Sequence, residues 1–192
     1  MIAIIQYNAG NIRSVVNALN RLGAESILTD SADMIQKADK VIFPGVGEAG
    51  SAMEYLKGKN LDVLIPTLTQ PFLGICLGLQ LMCSHSEEGS TSGIGIFQEK
   101  VKRFPSANKV PHMGWNNLLE MTGVLFRNIP ATADVYFVHS YYAECGTATV
   151  AATEYGIPFS AALRKDNFHA VQFHPEKSAD TGQLILKNFL SL

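Results

Sequence analysis

The sequence predicts an α/β protein with a mostly parallel central sheet flanked by helices and an antiparallel extension in its second half. Short apolar runs rich in β-branched residues alternate with helical patterns over the first eighty residues. In the second half, short strands follow one another closely with only turns between them. We find no repeat, low-complexity tract or long linker, so a single domain over residues 1–192 is expected.

Four strands and five helices are predicted in the first half of the chain. Gly23 ends the first helix, and the hydroxyl of Ser31 is expected to cap the second. The predicted strands span residues 2–5, 26–28, 40–43 and 72–75. The predicted helices span residues 11–22, 31–38, 48–57, 61–69 and 77–83.

Five closely spaced strands and one closing helix are predicted in the second half. We expect these strands to extend the central sheet in an antiparallel manner. The strands span residues 101–104, 135–138, 149–152, 159–163 and 170–173, and the helix spans residues 181–190.

The composition is that of an ordinary compact domain, with 47% hydrophobic and 17% charged residues. A net charge of −2 gives no electrostatic reason to expect nucleic acid or an anionic membrane as a partner. No apolar run approaches the roughly 18 residues that a membrane span needs. Three cysteines without a CxxC pair indicate a reducing compartment, so a cytoplasmic location is expected, and no metal site or cofactor is predicted.

Cys76 lies where a predicted strand passes directly into a predicted helix, between Gly74 and Gly78. Small residues on either side of such a turn let the backbone reverse and expose the nucleophile. The unpaired N–H groups at the start of the helix would favour the thiolate form. The alternative is a buried cysteine that serves only as a small apolar residue.

A candidate base for this thiol is His174, which follows the last predicted strand and precedes Pro175 and Glu176. A nucleophilic cysteine needs a base, and the base needs a partner that fixes its tautomer. The carboxyl ends of parallel strands meet at one edge of the sheet, so Cys76 and His174 can converge there. Taken alone, the His-Pro-Glu sequence could equally be a solvated turn.

Backbone amides around Val46 and Gly47 are candidates for the oxyanion site, together with the N–H of Leu77. The two glycines of residues 44–47 (PGVG) permit a turn whose amides point inward. The alternative is a plain loop, because Pro-Gly turns are common.

Residues 74–80 of this chain read GICLGLQ, residues 44–47 read PGVG and residues 174–176 read HPE. These three segments resemble the three signatures of the class I glutamine amidotransferases. Further blocks resemble the glutaminase subunits of imidazole glycerol phosphate synthases and extend over essentially the whole chain. They are residues 7–11 (YNAGN), 43–50 (FPGVGEAG), 111–116 (PHMGWN), 136–142 (YFVHSYY) and 174–178 (HPEKS).

The resemblance implies a flavodoxin-like fold and hydrolysis of L-glutamine to glutamate and ammonia through a thioester on Cys76. It also implies a heterodimer with a (β/α)₈ synthase subunit. That partner would use the ammonia to make imidazole glycerol phosphate and an aminoimidazole carboxamide ribotide in histidine biosynthesis. The implied triad is Cys76, His174 and Glu176, and the implied glutamine contacts are Gln80, Ser140 and Tyr141.

Other candidates are weighed against plainer interpretations. His139 lies in an apolar strand, where a structural imidazole is the simpler interpretation. Trp115, in a predicted loop between glycine and asparagine residues, is interpreted as an anchor for the partner, and Asn11 and Tyr136 are further interface candidates.

Three alternative functions remain open on the sequence. One is a glutaminase subunit serving pyridoxal phosphate, anthranilate or guanylate synthesis. Another is a hydrolase of related fold, such as a γ-glutamyl hydrolase or a cysteine peptidase. The third is a binding or regulatory module without catalytic activity, which would leave three intact motifs unexplained.

Overall fold

The structure is a computed structural model that describes residues 1–7 and 12–192. Over this part of the chain, it contains thirteen strands and six α-helices. The strands are β1 (Ile2–Ile5), β2 (Ser26–Thr29), β3 (Lys40–Gly45), β4 (Phe72–Cys76), β5 (His85–Ser86), β6 (Thr91–Ser92), β7 (Lys100–Arg103), β8 (His112–Asn117), β9 (Asp134–His139), β10 (Tyr141–Ala143), β11 (Thr149–Glu154), β12 (Pro158–Lys165) and β13 (Phe168–Val171). The helices are α1 (Arg13–Arg21), α2 (Ala32–Lys37), α3 (Ala49–Gly58), α4 (Leu61–Leu64), α5 (Leu77–Met82) and α6 (Ala179–Leu190).

Seven strands form the central sheet in the order β11-β12-β13-β4-β3-β1-β2. The five strands from β13 to β2 run parallel to one another. At the other edge, β12 pairs antiparallel with both β11 and β13. The predicted fold class, a mostly parallel sheet with an antiparallel extension in the second half, is therefore confirmed.

The two faces of the central sheet are covered by different helices. Successive side chains of a strand point to opposite faces, so Phe72 packs in the cluster that contains Leu56, whereas Leu73 packs in the cluster that contains Leu19 and Phe189. Helices α2, α3, α4 and α5 cover the first face, and α1 and α6 cover the second. Because β4 is buried on both faces, its sequence is a continuous apolar run. Among the described helices, we find none with the length and apolar character that crossing a bilayer requires.

Two of the strands predicted in the second half do not extend the central sheet, and the prediction is wrong for them. Strand β7 belongs to a four-stranded sheet in the order β10-β7-β5-β6, and β9 forms a two-stranded antiparallel ribbon with β8. Strand β8 was expected to be a loop, because glycine and asparagine have low β-propensity. Its partner β9 holds it in register over six residue pairs.

Two details of the predicted helices also need correction. Ser31 occupies the N-cap position of α2, but its hydroxyl makes no capping hydrogen bond. The segment predicted as one helix over residues 61–69 is instead the short helix α4 followed by a 3₁₀ turn at Ile65–Thr67. Pro66 lacks an N–H donor and cannot extend the helical hydrogen bonding back along the chain.

The connection between β4 and α5 is a sharp reversal centred on Cys76, whose φ and ψ are 55° and −108°. Helix α5 then packs closely against β3. At Gly78 this approach is so close that an added Cβ would overlap the backbone carbonyl of Phe43. A side chain at position 78 would therefore push the helix away from the sheet and change the reversal at Cys76.

We predict that Gly78→Ala lowers the free energy of unfolding by about 3 kcal/mol, because the overlap is with backbone that cannot rotate away. Gly58→Ala is the matched control, since a Cβ at the exposed end of α3 would meet no atom within 4 Å. The control should leave stability unchanged or raise it by up to about 1 kcal/mol. Urea unfolding of both variants tests this, and a wild-type midpoint for Gly78→Ala would contradict it.

Candidate active site

The thiol of Cys76 lies at the carboxyl edge of the central sheet, at the start of α5. Only 6% of the residue is exposed, yet its sulfur borders an open cavity. The Sγ atom lies 3.9 Å from the carbonyl oxygen of Val138 and 3.6 Å from Nε2 of Gln172. The sulfur is thus largely sheltered within the protein and borders the cavity.

The imidazole of His174 and the carboxylate of Glu176 form a buried pair beside this thiol. The Nδ1 atom of His174 lies 2.8 Å from Oε1 of Glu176, and both side chains are almost fully buried. Pro175 begins the 3₁₀ turn that brings Glu176 back towards the ring. The other ring nitrogen, Nε2, has no hydrogen-bond partner of good geometry among residues 1–7 and 12–192, so it remains available to the sulfur.

The charge on His174 is governed by opposing effects. Burial disfavours the imidazolium, but the neighbouring Cys76 and Glu176 outweigh burial and raise the pKa of His174 to about 10. The ring therefore carries a proton across the neutral pH range when the sulfur is ionised. A thiolate paired with an imidazolium is the nucleophilic form of a cysteine of this kind.

A cavity of about 320 Å³ opens directly in front of Cys76. Its size suits a small amino-acid ligand. All six residues that the sequence suggested for oxyanion or glutamine contacts line this cavity, namely Val46, Gly47, Leu77, Gln80, Ser140 and Tyr141.

One wall of the cavity is the turn that follows β3. Gly47 has a φ of +125°, a conformation that side chains other than glycine rarely adopt. A Cβ at this position would meet no atom within 4 Å, so the requirement for glycine comes from the backbone and not from crowding. The turn and the first residue of α5 both line the cavity together with Cys76, which is where backbone donors for a developing oxyanion are needed.

The amide of Gln80 is already engaged inside the protein. Its Nε2 donates hydrogen bonds to the carbonyl oxygen of Tyr141 at 2.8 Å and to Oε1 of Gln172 at 3.0 Å. Its Oε1 is the atom left to contact a ligand in the cavity. Gln172, which is fully buried, was missed in the sequence because nothing in the local pattern distinguishes it from the strand residues around it.

Glu88 is a second cavity residue that the sequence interpretation missed, because the Glu87-Glu88 pair resembles a solvated loop. Its carboxylate accepts a hydrogen bond from the N–H of Ala49 at 2.9 Å and lines the cavity. Partial burial raises the pKa of the Glu88 carboxyl, and repulsion from the Glu48 carboxylate raises it to a smaller extent. A half-buried carboxylate in this place provides a partner for a ligand ammonium group.

His139 also borders the cavity, and its contacts identify it as a structural imidazole. Its Nδ1 lies 2.7 Å from the carbonyl oxygen of Tyr141, and its Nε2 lies 3.0 Å from Nδ1 of His112. Burial lowers the pKa of His139 to about 3 and that of His112 to about 4, so both rings are neutral at pH 7.

Two of the three interface candidates lie side by side on the ribbon formed by β8 and β9. Trp115, which is 55% exposed, pairs with Tyr136 across the strands, and the two rings meet edge to face at 6.0 Å. Trp115 is therefore on a strand and not in the predicted loop. Nζ of Lys177 lies over the Tyr136 ring. Asn11, the third candidate, lies outside the described residues.

The backbone of Tyr136 connects this ribbon to the candidate base. Its carbonyl oxygen accepts from the N–H of His174 at 2.9 Å, and its own N–H donates to Oγ of Ser178 at 2.9 Å. The hydroxyl of Ser178 in turn donates to the carbonyl oxygen of His174 at 2.6 Å. These three bonds join the main chains of the ribbon and the His174 turn.

Comparison with known proteins supports the resemblance seen in the sequence. Residues 3–192 match the family described as glutamine amidotransferase class-I. A protein of Bacteroides thetaiotaomicron named imidazole glycerol phosphate synthase subunit HisH is 55% identical, and the alignment covers 100% of this chain and 99% of that protein. A protein of the same name from Methanothermobacter thermautotrophicus is 44% identical and is covered over 98% of its length, again with 100% of this chain.

A solved structure shares the fold. The crystal structure described as a glutamine amidotransferase aligns with a TM-score of 0.77, covering 100% of this chain and 98% of that chain. The sequence identity is only 18%, so this likeness concerns the fold alone.

We predict that His174→Gln slows alkylation of Cys76 by iodoacetamide at pH 7 by about tenfold or more, because the variant loses the imidazolium that stabilises the thiolate. With the pKa of His174 at about 10, the deficit should be largest at neutral pH. It should shrink as the pH passes the pKa of His174, where the wild type loses its imidazolium.

The exposed Cys145 provides an internal control, since its alkylation rate in the same sample should not differ between the two proteins. Mass spectrometry of the two cysteine peptides separates the rates. Equal rates for Cys76 in both proteins at pH 7 would contradict the assignment of an ion pair.

Proposed function

Because the chain belongs to the class-I glutamine amidotransferase family, we propose that it is the glutaminase subunit of an imidazole glycerol phosphate synthase. It hydrolyses L-glutamine to glutamate and ammonia and passes the ammonia to a synthase subunit. Residues 1–192 act as one amidotransferase domain. The 55% identity to HisH over the whole chain favours this assignment over glutaminases that serve other pathways.

The observation that carries the proposal is the arrangement around the Cys76 sulfur. The sulfur borders a cavity of about 320 Å³ and lies beside the imidazole of His174, which is hydrogen-bonded to Glu176. A thiol, an imidazole and a carboxylate in this order are the components of nucleophilic acyl transfer. A binding module without catalytic activity would have no need to keep three such groups together and buried.

In the proposed reaction, the Cys76 thiolate attacks the γ-carbonyl carbon of glutamine and a C–S bond forms. The carbonyl oxygen becomes an oxyanion, which the N–H groups of Gly47 and Leu77 stabilise. When the tetrahedral intermediate collapses, the C–N bond breaks. The imidazolium of His174 donates its proton to the departing nitrogen, which leaves as ammonia.

The product of this step is a γ-glutamyl thioester on Cys76, with His174 now neutral. The imidazole takes a proton from water as the water attacks the thioester carbonyl. Collapse of the second tetrahedral intermediate breaks the C–S bond, releases glutamate and restores the thiolate–imidazolium pair. Glu176 holds the ring in one orientation throughout and stabilises its charged form.

Recognition of glutamine depends on both ends of the α-amino-acid group. The carboxylate of Glu88 and Oε1 of Gln80 line the cavity and provide acceptors for the ammonium group. The backbone at Ser140 and Tyr141 also lines the cavity and is proposed to provide polar groups for the α-carboxylate. These contacts distinguish a free amino acid from a glutamine residue within a peptide, whose α-groups are amides.

The partner is proposed to be a (β/α)₈ synthase subunit that forms a heterodimer with this chain. It adds ammonia to a phosphorylated ribulosyl intermediate and releases imidazole glycerol phosphate and the aminoimidazole carboxamide ribotide. The ribbon formed by β8 and β9 is the proposed docking surface. Trp115 and Met113 on this ribbon are 55% and 62% exposed, which is unusual for large apolar side chains and typical of an interface.

We predict that Cys76→Ala abolishes ammonia release from glutamine, because no thioester can form. Synthesis of imidazole glycerol phosphate by the complex should continue when an ammonium salt replaces glutamine. Cys145→Ser is the matched control and should retain activity with glutamine, since Cys145 is exposed and lies outside the cavity. Release of ammonia by Cys76→Ala at the wild-type rate would overturn the proposed function, as would a reconstituted complex in which the ammonia serves a different synthase.

We also predict that Trp115→Ala weakens binding of the synthase subunit by about 2–4 kcal/mol, which corresponds to a Kd increase of roughly 30- to 1,000-fold. Val63→Ala is the control, because Val63 is similarly exposed but lies on α4, away from the ribbon. Titration calorimetry of both variants measures the effect. A Kd for Trp115→Ala within twofold of the wild-type value would show that the partner docks elsewhere.

A further inference from the structure

A continuous chain of hydrogen bonds runs from the Cys76 sulfur into the protein interior. Nε2 of Gln172 lies 3.6 Å from Sγ of Cys76, and Oε1 of Gln172 accepts from Nε2 of Gln80 at 3.0 Å. The same Nε2 of Gln80 donates to the carbonyl oxygen of Tyr141 at 2.8 Å. Gln172 is completely buried and Gln80 is 5% exposed, so both amides make these hydrogen bonds inside the protein.

A second chain reaches the same carbonyl oxygen from the other side. Nδ1 of His139 lies 2.7 Å from the oxygen of Tyr141, and its Nε2 lies 3.0 Å from Nδ1 of His112. The Nε2 of His112 is 3.5 Å from the side-chain nitrogen of Asn116, a weaker contact at the limit of hydrogen bonding. Asn116 is next to Trp115 on β8, so the two chains together connect the exposed ribbon with the sulfur.

The polarity of both chains follows from the Tyr141 carbonyl, which can only accept. Gln80 must therefore turn its NH₂ group towards this oxygen, and the second N–H of that group reaches Oε1 of Gln172. Gln172 must then present its own NH₂ group to Cys76. If either amide were rotated by 180°, a donor would face a donor or an acceptor would face an acceptor. The Tyr141 carbonyl therefore determines the orientation of the Gln80 amide, and the Gln80 amide determines that of the Gln172 amide beside the sulfur.

The same reasoning fixes the tautomers of the two imidazoles. Nδ1 of His139 carries the hydrogen because it faces a carbonyl, and its Nε2 is then an acceptor in a neutral ring. Nδ1 of His112 donates to that acceptor, which leaves Nε2 of His112 to accept from Asn116. Burial lowers the pKa of both rings well below 7, in agreement with two neutral tautomers. The pair thus holds the Tyr141 carbonyl in one orientation.

We propose that Gln172 is a catalytic residue that stabilises the Cys76 thiolate through its amide N–H, and that His139 and His112 are positioning residues that fix the direction of this donor. The thiolate has two polar neighbours of opposite effect in this structure. The carbonyl oxygen of Val138 would repel it, whereas the N–H group of Gln172 attracts it. The donor therefore offsets the unfavourable contact of the ionised sulfur with the carbonyl oxygen.

This inference deepens the proposed function, because it rests on Cys76 as the nucleophile. It differs from the roles suggested by the sequence, which assigned Gln80 to glutamine alone and assigned nothing to Gln172. It also gives the buried imidazoles near the cavity a role in the reaction without requiring either to carry a proton to or from substrate.

The first test replaces the donor at Gln172 by a side chain of similar length without one, Gln172→Met, in the full chain. Alkylation of Cys76 by iodoacetamide at pH 7 should slow by about tenfold, because the thiolate loses a charge-assisted hydrogen bond. In the complex with the synthase subunit, kcat for glutamine should fall by a similar factor while KM changes less than threefold. Gln98→Met, at an exposed position on the surface, is the control and should match the wild type.

Gln172→Glu is the companion variant, which keeps the shape but replaces the NH₂ group by an oxygen. It should slow alkylation at least as much as Gln172→Met, because a carboxylate repels the thiolate, and it remains informative if the methionine variant fails to fold. Wild-type alkylation by either variant, with a cooperative unfolding transition retained, would overturn the role of Gln172. This readout uses no glutamine, so it can fail while Cys76→Ala still confirms the nucleophile.

The second test concerns the positioning residues and compares His139→Asn with His139→Leu. Asparagine can present an N–H group where Nδ1 of histidine lies, so it should restore alkylation to within about threefold of the wild-type rate, whereas leucine should not. In the double variant Gln172→Met with His139→Leu, alkylation should be no slower than in the slower single variant, because both changes remove the same interaction. Rate losses that multiply in the double variant, or equal effects of asparagine and leucine, would overturn the link between the imidazole pair and the sulfur.

Discussion

The reversal of the backbone at Cys76 is the constraint on which the rest of the site depends. A residue other than glycine with positive φ costs on the order of 1–3 kcal/mol and persists only when its surroundings enforce it. Here β4 is fixed between β3 and β13 at the centre of the sheet, and Gly78 lets α5 approach the backbone of Phe43. The packed core thus maintains a local strain that directs the thiol towards the cavity instead of towards either face of the sheet.

Charge in the site is balanced among groups that would each be unfavourable alone. A buried thiolate, imidazolium or carboxylate loses its hydration, and only mutual pairing offsets the loss. The two histidines near the cavity illustrate this. His139, which faces a carbonyl and a neutral ring, has a pKa lowered to about 3, whereas His174, between a thiolate and a carboxylate, has a pKa raised to about 10. Identical side chains in comparably buried positions differ because one has anionic neighbours and the other has none.

The sequence allowed the parallel sheet and the strand that ends at Cys76 to be predicted, because a strand buried on both faces is a continuous apolar run with a clear end. It also suggested that His174 would lie near the thiol, since both follow parallel strands at the same edge. Gln172, Glu88 and the pairing of His112 with His139 could not be anticipated. Their partners lie 27 to 96 positions away in the chain, with no periodic pattern to connect them. Strand β8 escaped prediction for a similar reason, because it is specified by its partner β9 and not by its own composition.

The hydrogen bonds that join Tyr136, His174 and Ser178 do not depend on the side chain of Tyr136. Two of the three bonds use only backbone atoms of Tyr136, so they survive any replacement of its aromatic ring. Alanine scanning of the ribbon would therefore detect the loss of surface contacts but would leave these hydrogen bonds between the ribbon and the His174 turn intact. A small displacement of β9 would move the His174 turn with it whatever side chain occupies position 136. An ester in place of the peptide N–H of residue 174 removes the direct bond, and loss of the Ser178 hydroxyl removes the other two, so both changes are needed to break the connection.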